Sequence, residues 1–390
     1  MSENSPICRS FLIVGNMEKK FIVEQKQLLS VLTAMQPICT RRTTLDATSY
    51  IMFNIGTKEL ILKSTDLEIS LQASCTVIES DFRQSEQFLV PGKRIFDIVK
   101  ELSDTIALEL NDNQLHIMCD DVHLSLNIKD TSEFPPLPER IENLMHIESA
   151  TFKTMLEGVS FLVPQNNSNP ALNGLLLEVT PSEFKMTATD GHSLAQVISK
   201  DFTLETPRSW LLPRRAVFEL KKILDSYEDA ALFLGTCASQ LVFSGQHFNF
   251  FSKLLVDTFP KYQPILQKDG FYAAKLDKAH FLKTLKRSTC LLSGQFIATQ
   301  FKFTPNAVHV LMNNKEVGKL NERVPLFDYN QHEIETRFYA PYLLSGVQTF
   351  EENISFYLHS STKPIIFETI TSKISRIYLV MPVSTAQAQQ

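Results

Sequence analysis

The segment Thr189-Asp190-Gly191-His192 places a carboxylate and an imidazole two positions apart. Asp and His side chains can exchange a proton and act as a general acid–base pair, as in many hydrolases and transferases. Such a pair needs a nucleophile or a metal beside it, and the sequence contains no GxSxG, HExxH or P-loop motif. A catalytic role for Asp190 and His192 is therefore one interpretation. The other is a turn in which the histidine is buried or caps the backbone.

Cysteine chemistry is the next candidate, and the spacing of the cysteines argues against it. The six cysteines are Cys8, Cys39, Cys75, Cys119, Cys237 and Cys290. None belongs to a CxxC pair, so the pattern predicts no zinc or redox site and no cofactor. We interpret them as small buried residues of a protein in a reducing compartment.

Basic side chains recur on the segments that are predicted to be helices. They are Lys26, Lys153, Lys283, Lys286 and Arg287 in a first set of helices, and Lys100, Lys221 and Lys222 in a second. Lys and Arg bind phosphate without reading the bases, which suits sequence-independent contact with nucleic acid. The alternative is that these are ordinary solvated helix faces. The formal net charge of -5 excludes a uniformly basic surface but allows a local basic stripe.

The elements that would position these side chains recur three times along the chain. Strands around Phe21, Ile147 and Ala273, which are 126 residues apart, each pass into a segment with apolar residues at helical spacing. Ser149 and Asp277 are predicted to cap the second and third of these helices. Further landmarks recur 122 to 125 residues apart, namely Pro91 with Pro213, Thr65-Asp66 with Thr189-Asp190, and Phe134-Pro135 with Phe259-Pro260.

A second amphipathic helix is predicted in each unit, around Ile95, Val217 and Leu343, and short strands separated by turn residues fill the remainder. The fold class is therefore α+β, with three similar domains of two helices and many antiparallel strands each. A chain of 390 residues with 44% hydrophobic residues has ample material for several cores.

The predicted boundaries follow from the repeat. We expect domains at 17–138, 139–266 and 267–384, a disordered extension at 1–16, and a small polar tail at 385–390. No stretch approaches the roughly 20 apolar residues of a membrane helix.

The segment Thr187-Ala188-Thr189-Asp190-Gly191-His192-Ser193-Leu194-Ala195 closely resembles the TDGHRLA motif of the bacterial DNA polymerase III beta subunits, or beta sliding clamps. Leu172-Asn173-Gly174, Phe259-Pro260-Lys261-Tyr262 and Tyr378-Leu379-Val380-Met381-Pro382 match as well. The resemblance runs from Met17 to about Ser384. It implies the DNA clamp fold in a head-to-tail homodimer, in which helices line the inside of a ring and antiparallel sheets lie outside. It also implies a non-catalytic, cytoplasmic processivity factor for DNA replication, with no cofactor and no membrane contact.

Positions that match the family's motifs imply contact with double-stranded DNA, independent of sequence, by Arg42, Lys93, Asn167, Arg214, Arg215 and Tyr342. The segment after Arg42, Thr43-Thr44-Leu45-Asp46, stands where the family usually has prolines, so the geometry of this loop departs from the family's pattern.

The resemblance also implies a groove between the second and third domains for short peptides with Gln, Leu and aromatic or Leu anchors. Its partners would be the replicative polymerase alpha subunit, the clamp loader, translesion polymerases, mismatch-repair proteins and ligase. The matching positions are Leu172, Thr189, Gly191, His192, Leu194, Pro260, Ile265, Phe296, Leu379, Val380, Met381 and Pro382. Ser193, Pro170 and Pro264 stand where the family frequently has arginine, which predicts an altered polar rim.

Finally, the resemblance implies a dimer seam. Leu124 and Leu126 would lie on an edge strand of the first domain, and Leu291 and Leu292 at the end of the first helix of the third domain. A small apolar patch at each end of the protomer suits such a seam, although alternation also suits a buried core. A structural repeat protein without a nucleic-acid role is the third interpretation, after the clamp and the enzyme.

Overall fold

The computed structural model describes residues 19–111, 113–138, 140–227, 230–293, 298–350 and 353–383. They form two compact units that divide between Leu137 and Pro138. The predicted extension, the tail and Phe296 lie outside the described residues. The predicted boundary between residues 266 and 267, inside the second unit, stays a prediction. Among the described residues no helix is both long and apolar enough to cross a membrane.

The described part of the first unit contains two helices and eight antiparallel strands. They are β1 (Lys19–Glu24), α1 (Gln25–Cys39), β2 (Tyr50–Ile55), β3 (Glu59–Thr65), β4 (Ile69–Ser80), β5 (Glu86–Pro91), α2 (Gly92–Lys100), β6 (Thr105–Asn111), β7 (Gln114–Cys119) and β8 (Val122–Asn127). The strands pair in the order β8-β7-β6-β1-β4-β3-β2-β5. Helices α1 and α2 pack against each other, and α1 also covers β3 and β4.

The second unit contains the same plan twice. Its first half consists of β9 (Glu142–Glu148), α3 (Ser149–Ser160), β10 (Gly174–Val179), β11 (Phe184–Thr189), β12 (Ser193–Ser199), β13 (Arg208–Pro213), α4 (Arg214–Ser226), β14 (Ala231–Cys237), β15 (Gln240–Ser244) and β16 (Phe248–Lys253). Its second half consists of β17 (Tyr272–Asp277), α5 (Lys278–Thr289), β18 (Thr299–Thr304), β19 (Ala307–Asn314), β20 (Gly318–Pro325), β21 (Ile334–Phe338), α6 (Ala340–Val347), β22 (Asn353–Leu358), β23 (Ile365–Ile370) and β24 (Ile374–Val380).

One continuous sheet joins the two halves of the second unit. Its order is β13-β10-β11-β12-β24-β23-β22-β17, and the antiparallel pairing of β12 with β24 lies at its centre. Strands β9, β14, β15 and β16 pair in sequence order, and β18 to β21 form a four-stranded sheet in the order β20-β19-β18-β21. The helices pair as α3 with α4 and α5 with α6. The predicted α+β class with a repeated two-helix plan is therefore confirmed.

The first helix of each repeat begins directly where a strand ends. Asp277 is the N-cap of α5, as predicted, because its side chain accepts a hydrogen bond from His280 N at 2.7 Å. The predicted cap at Ser149 is wrong, since Ser149 is already the first helical residue. The reason is that β9 runs on to Glu148, and Ser149 N donates to Ala230 O.

A side-chain turn repeats at three equivalent positions, Asp66, Asp190 and Asn314, each 124 residues from the next. In each case the side-chain Oδ1 accepts backbone hydrogen bonds from the residues two and three positions later, at distances between 2.7 and 3.3 Å. Strands β4, β12 and β20 follow these turns. They are therefore equivalent strands of the three repeats.

The cysteines bear out the prediction only in part. Cys39, Cys75 and Cys119 are buried, and burial raises the pKa of the Cys39 and Cys75 thiols to about 12. Cys290, in contrast, is exposed directly after α5, so its prediction as a buried residue is wrong.

Candidate functional site: peptide groove, basic surfaces and edge strands

The turn between β11 and β12 carries the motif that first suggested chemistry. Asp190 Oδ1 accepts backbone hydrogen bonds from His192 N at 2.8 Å and Ser193 N at 2.7 Å, and Thr189 Oγ1 donates to Ser193 O at 2.6 Å. The Asp190 carboxylate therefore shapes the backbone of the turn. Within the described residues it forms no hydrogen bond with the His192 ring, and no three His, Cys, Asp or Glu side chains are placed to hold a metal. The geometry favours a structural turn over an acid–base pair.

Gly191 sits at the tip of this turn with φ of +95°, a conformation that favours glycine over residues with a Cβ. A Cβ at this position would come within 3.9 Å of Leu172 Cδ1. Leu172 ends a short 3-10 helix, Pro170–Leu172, and is buried. Two segments that were predicted to belong to one groove therefore meet here.

The turn is held from a second side by asparagines. Asn167 Nδ2 donates to Asp190 O at 3.1 Å, and Asn173 Oδ1 accepts from Asn167 N at 2.7 Å. Asn167 was predicted to contact DNA, and the structure places its side chain against the groove turn. Asn173 was not predicted as a site residue, although it lies in the matched Leu172-Asn173-Gly174 motif.

His192 is exposed and stacks on an aromatic side chain of the third repeat. Its ring lies 5.5 Å from that of Tyr342 with an interplanar angle of 14°, and Tyr339 meets Tyr342 edge-on at 5.0 Å. Burial, followed by the Asp190 carboxylate, raises the pKa of Tyr342. Tyr342 was also predicted to contact DNA, and the structure brings it together with the groove residue His192.

The floor of the candidate groove is the seam between β12 and β24. Leu194 pairs with Leu379 and Ser193 with Val380, and Met381 N donates to His192 O at 2.9 Å. Leu194, Leu379 and Val380 are buried. These three residues therefore supply core beneath the groove, and other side chains must provide its exposed surface.

The exposed surface comes from the connector between β16 and β17 and from the end of β24. Pro260 is exposed, Ile265 is 42% exposed and Met381 is 38% exposed, with Pro382 partly buried. Tyr262, between the first two, joins Ala171, Leu194 and Leu379 in one buried apolar cluster. The four predicted groove segments thus converge on one place in the second unit. An apolar floor with a few polar groups suits a peptide ligand.

Two predicted DNA-contacting residues of the first unit line a common pocket. Arg42 and Lys93 are both exposed there, together with Arg41, Thr43 and Asp46. Arg41 forms an ion pair with Glu68, and Asp46 forms one with Lys129 at 2.9 Å. Within the described residues no ion pair engages Arg42 or Lys93. Their charges therefore remain available for an anion.

The predicted basic residues of the second unit are more strongly engaged. Arg214 donates to Val163 O and lies 4.2 Å above the Phe218 ring, while Arg215 is half-buried. On the helices, three predicted cations are paired with carboxylates: Lys153 with Asp225, Lys222 with Glu219, and Arg287 with Glu322. Lys283 and Lys286 on α5 are exposed. The basic character of α5 therefore rests mainly on these two lysines.

Glu322 on β20 joins α5 to that strand. It accepts hydrogen bonds from Arg287 Nε and Thr284 Oγ1, both at 2.8 Å. The Arg287 guanidinium holds the pKa of Glu322 below its ordinary value of 4.5, and Thr284 acts in the same direction. This cluster fixes the position of β20 against the helix.

One end of the predicted dimer seam lies on an edge strand, and the other lies beside one. Within the first unit β8 pairs only with β7, and β20 in the second unit pairs only with β19 among the described strands. Leu124 and Leu126 lie opposite the buried Ile117 and Leu115, yet Leu124 is 40% exposed and Leu126 is partly buried. The prediction of an edge strand in the first unit is confirmed, and a buried core position is excluded for Leu124 in the protomer.

Leu291 and Leu292 lie just beyond the position that was predicted. Helix α5 ends at Thr289, and both leucines follow in a tighter turn in which Leu291 N donates to Ser288 O and Leu292 N to Thr289 O. Both are partly buried, and Asn314 Nδ2 donates to Leu291 O at 2.7 Å. Strand β20 lies beside them and was not predicted, because its alternation of charged and apolar residues is a weak strand signal.

Comparison with known proteins assigns all three repeats. The model for the N-terminal domain of the DNA polymerase III beta subunit matches residues 19–138, that for its central domain residues 146–261, and that for its C-terminal domain residues 265–384. The beta sliding clamp of Proteus mirabilis is 28% identical over 368 residues, which cover 93% of this chain and 99% of the relative. The beta sliding clamp of Escherichia coli strain K12 is 27% identical with the same coverage.

Solved structures agree on the fold. The DNA polymerase sliding clamp of Bacillus subtilis superposes with a TM-score of 0.86 at 22% identity, and covers 94% of this chain and 100% of its own. That of Pseudomonas aeruginosa, solved with a ligand, gives 0.85 at 23% identity with the same coverage. At this identity the likeness establishes the three-domain clamp fold alone.

Proposed function

The chain belongs to the DNA polymerase III beta subunit family, and from that premise we propose that two copies close head-to-tail into a cytoplasmic ring around duplex DNA and tether the replicative polymerase through the groove. As a member of this family the chain is a DNA sliding clamp of replication, a processivity factor and not an enzyme. The Asp190 carboxylate accepts hydrogen bonds from the backbone of its own turn, which supports a structural role for the Asp–His motif.

The ring proposal rests on one observation. Strands β20 and β8 are edge strands, although the equivalent strands β12 and β24 pair with each other inside the protomer. Strand β12 follows the Asp190 turn and pairs with β24, the last strand of the third repeat. Strand β20 follows the equivalent Asn314 turn, and β8 is the last strand of the first repeat. If a second copy repeats the internal junction, its β8 adds antiparallel to β20. This heterologous contact closes a ring after two copies.

The internal junction also predicts the register of the seam. Ala195 lies opposite Ala188 and Tyr378, while Leu320 lies opposite Met312, the residue 124 positions after Ala188. Leu126 lies opposite the buried Leu115, as Tyr378 lies opposite the buried Phe367. The expected pairs across the seam are therefore Leu320 with Leu126, Glu322 with Leu124, and Asn321 with Ser125 of the second copy.

Basic side chains would hold the DNA by phosphate contact alone, which permits sliding because no base is read. Arg42 and Lys93 support this role best, since they are exposed and no ion pair engages them within the described residues. Lys283 and Lys286 on α5 are also exposed and would add positive charge for phosphate contact. The net charge of -5 then requires the acidic residues to lie mainly elsewhere on the surface.

The groove would accept the short anchoring peptides of the polymerase alpha subunit, the clamp loader, translesion polymerases, mismatch-repair proteins and ligase. Ile265 and Met381 offer exposed apolar surface for a Leu or aromatic anchor, and a thioether adapts to several partners. His192 and the turn backbone offer polar groups for a Gln anchor. Pro170 and Pro264 are exposed where the family frequently has arginine, so we expect peptide affinity to depend weakly on salt. Ser193, in contrast, is only 1% exposed and lies in the floor, not at the predicted rim.

Disulfide cross-linking tests the ring proposal. Side chains directly opposite each other on antiparallel strands have Cβ atoms about 4.5–5.5 Å apart, close enough for a disulfide after small adjustment. In a Cys290→Ser background, Leu126→Cys with Leu320→Cys should give a covalent dimer upon oxidation. The off-register pair Leu124→Cys with Leu320→Cys is the control. Equal cross-linking of both pairs, or none at the first, would contradict the proposed seam.

A further inference from the structure

The connector between β16 and β17 forms one wall of the proposed groove without being a strand of any sheet. It carries Pro260 and Ile265, whose exposed side chains would meet the peptide. Its only regular element is a short 3-10 turn, Gln263–Leu266. A wall of this kind holds a peptide well only if something fastens it to the rigid sheet beneath.

Tyr262 provides the fastening, since it is only 4% exposed in a connector whose other residues are exposed or partly buried. Its hydroxyl donates to Glu178 Oε2 on β10, and it accepts from Gln196 Nε2 on β12 at 3.0 Å. The same Gln196 nitrogen donates to Thr187 Oγ1 on β11 at 2.9 Å. One tyrosine of the connector is thus bonded to a polar network that spans three adjacent strands of the sheet.

The network connects the groove wall directly to the groove floor. Gln196, which is 3% exposed, lies two residues after Leu194 on the same strand. Ile265 N donates to Tyr262 O at 3.1 Å, so the position of the tyrosine backbone sets that of the groove residue. The Phe259 ring, which directly precedes Pro260 in the chain, meets the Tyr262 ring edge-on at 6.1 Å. Both exposed wall residues therefore take their positions from Tyr262.

We propose that Tyr262 is a positioning residue for the peptide groove, acting through its hydrogen bonds with Glu178 and Gln196 rather than through contact with the peptide. This inference rests on the peptide groove proposed above. Burial, followed by the hydrogen bond with Glu178, raises the pKa of the Tyr262 hydroxyl well above its ordinary value. The hydroxyl therefore stays protonated and remains a donor at every pH at which the clamp works.

The test measures peptide binding in a variant that keeps the ring and loses only the hydroxyl. The probe is a fluorescein-labelled peptide with Gln, Leu and Phe anchors, titrated at a temperature where every variant is folded. Tyr262→Phe should raise the Kd about three- to tenfold, because the two hydrogen bonds of the hydroxyl, to Glu178 and from Gln196, are both lost.

A matched control separates positioning from general destabilisation. Tyr329 is 1% exposed, and its hydroxyl donates to His332 O at 2.8 Å, in a loop that carries no predicted groove residue. Tyr329→Phe should lower the melting temperature to a similar extent and leave the peptide Kd unchanged. An unchanged Kd in Tyr262→Phe, or an equal rise in Tyr329→Phe, would overturn the inference.

A second pair of variants decides the question if Tyr262→Phe does not fold. Glu178→Gln keeps an oxygen that accepts from the Tyr262 hydroxyl, whereas Glu178→Ala removes it. Binding should survive in the first and weaken in the second, and equal binding in both would overturn the inference. If the wild-type clamp fails to bind the peptide, the proposed groove itself is contradicted, which is a distinct outcome.

Discussion

Replacement of Asp190 by alanine removes the acceptor of two backbone hydrogen bonds at the tip of the groove turn, from His192 N at 2.8 Å and Ser193 N at 2.7 Å. A typical hydrogen bond contributes roughly 1 kcal/mol to stability, and one to a charged group roughly 1.5–3 kcal/mol. Asp190 is half-buried, so we take the lower figure for each bond. The local cost is then about 2 kcal/mol, or about thirtyfold in the opening equilibrium of the turn.

Hydrogen–deuterium exchange reports this local opening directly. We expect the His192 amide to exchange about thirtyfold faster in Asp190→Ala than in the wild type, and the groove peptide to bind more weakly. Asp190→Asn should behave like the wild type, because Asn314 forms the equivalent turn in the third repeat with an amide oxygen.

The first repeat supplies a matched control for the same change. Asp66 accepts from Glu68 N at 3.0 Å and Ile69 N at 2.8 Å, in a unit that carries no predicted groove residue. Asp66→Ala should speed exchange at its own turn and leave peptide affinity unaltered. The reasoning is refuted if both alanine variants weaken the peptide equally, or if Asp190→Ala binds as tightly as the wild type.

Three further outcomes follow from the predicted DNA-contacting arginines, the seam and the α5–β20 cluster. Arg42→Ala combined with Arg215→Ala should weaken DNA binding and lower the slope of log Kd against log salt by up to about 2, or about 1 for each phosphate that is no longer neutralised; an unchanged slope would count against both residues. The variant with Leu291→Ala and Leu292→Asp should sediment as a monomer. A persisting dimer would contradict the assignment of these two residues to the seam. The pKa of Glu322 is lowered in the folded state, so its stabilising contribution is present above its unfolded value of 4.5 and is lost as the pH falls below it. Denaturant titrations from pH 7 to pH 3 should therefore lose stability less steeply in Glu322→Gln than in the wild type.

The threefold repeat could be predicted from the sequence because it depends on local sequence patterns. Apolar residues at helical spacing and turn residues recur at nearly constant offsets, and the helix cap at Asp277 needs only its own side chain and the amide three residues later. The cap that was wrong, Ser149, failed because the strand before it extends one residue further than the local pattern indicates. Periodicity does not fix that boundary.

The groove could be predicted only from the resemblance to the beta sliding clamps. Its segments lie as far apart as Leu172 and Met381 along the chain, and they meet because β12 pairs with β24. No local pattern encodes such a long-range pairing. For the same reason the sequence did not separate the buried floor from the exposed wall, nor place Tyr342 against His192.

The edge strands, too, could be predicted only in part from the sequence. Leu124 and Leu126 alternate as a buried strand would, so composition alone could not tell an exposed edge from a core strand. Strand β20 escaped notice because Lys319, Glu322 and Arg323 interrupt its apolar residues. In the structure Arg287 donates a hydrogen bond to Glu322 and balances its charge. This interaction lets a charged residue occupy a position in the strand that the alternation rule assigns to an apolar one.

Retention on circular DNA tests the ring around DNA most directly. The Leu126→Cys, Leu320→Cys protein is loaded by a clamp loader onto a nicked plasmid, oxidised to close the proposed seam, and passed through gel filtration in high salt. A topological ring should stay with the intact circle and be lost once a restriction enzyme linearises the plasmid. Equal loss from the circular and linear forms, or equal retention on both, would contradict a clamp that encircles DNA.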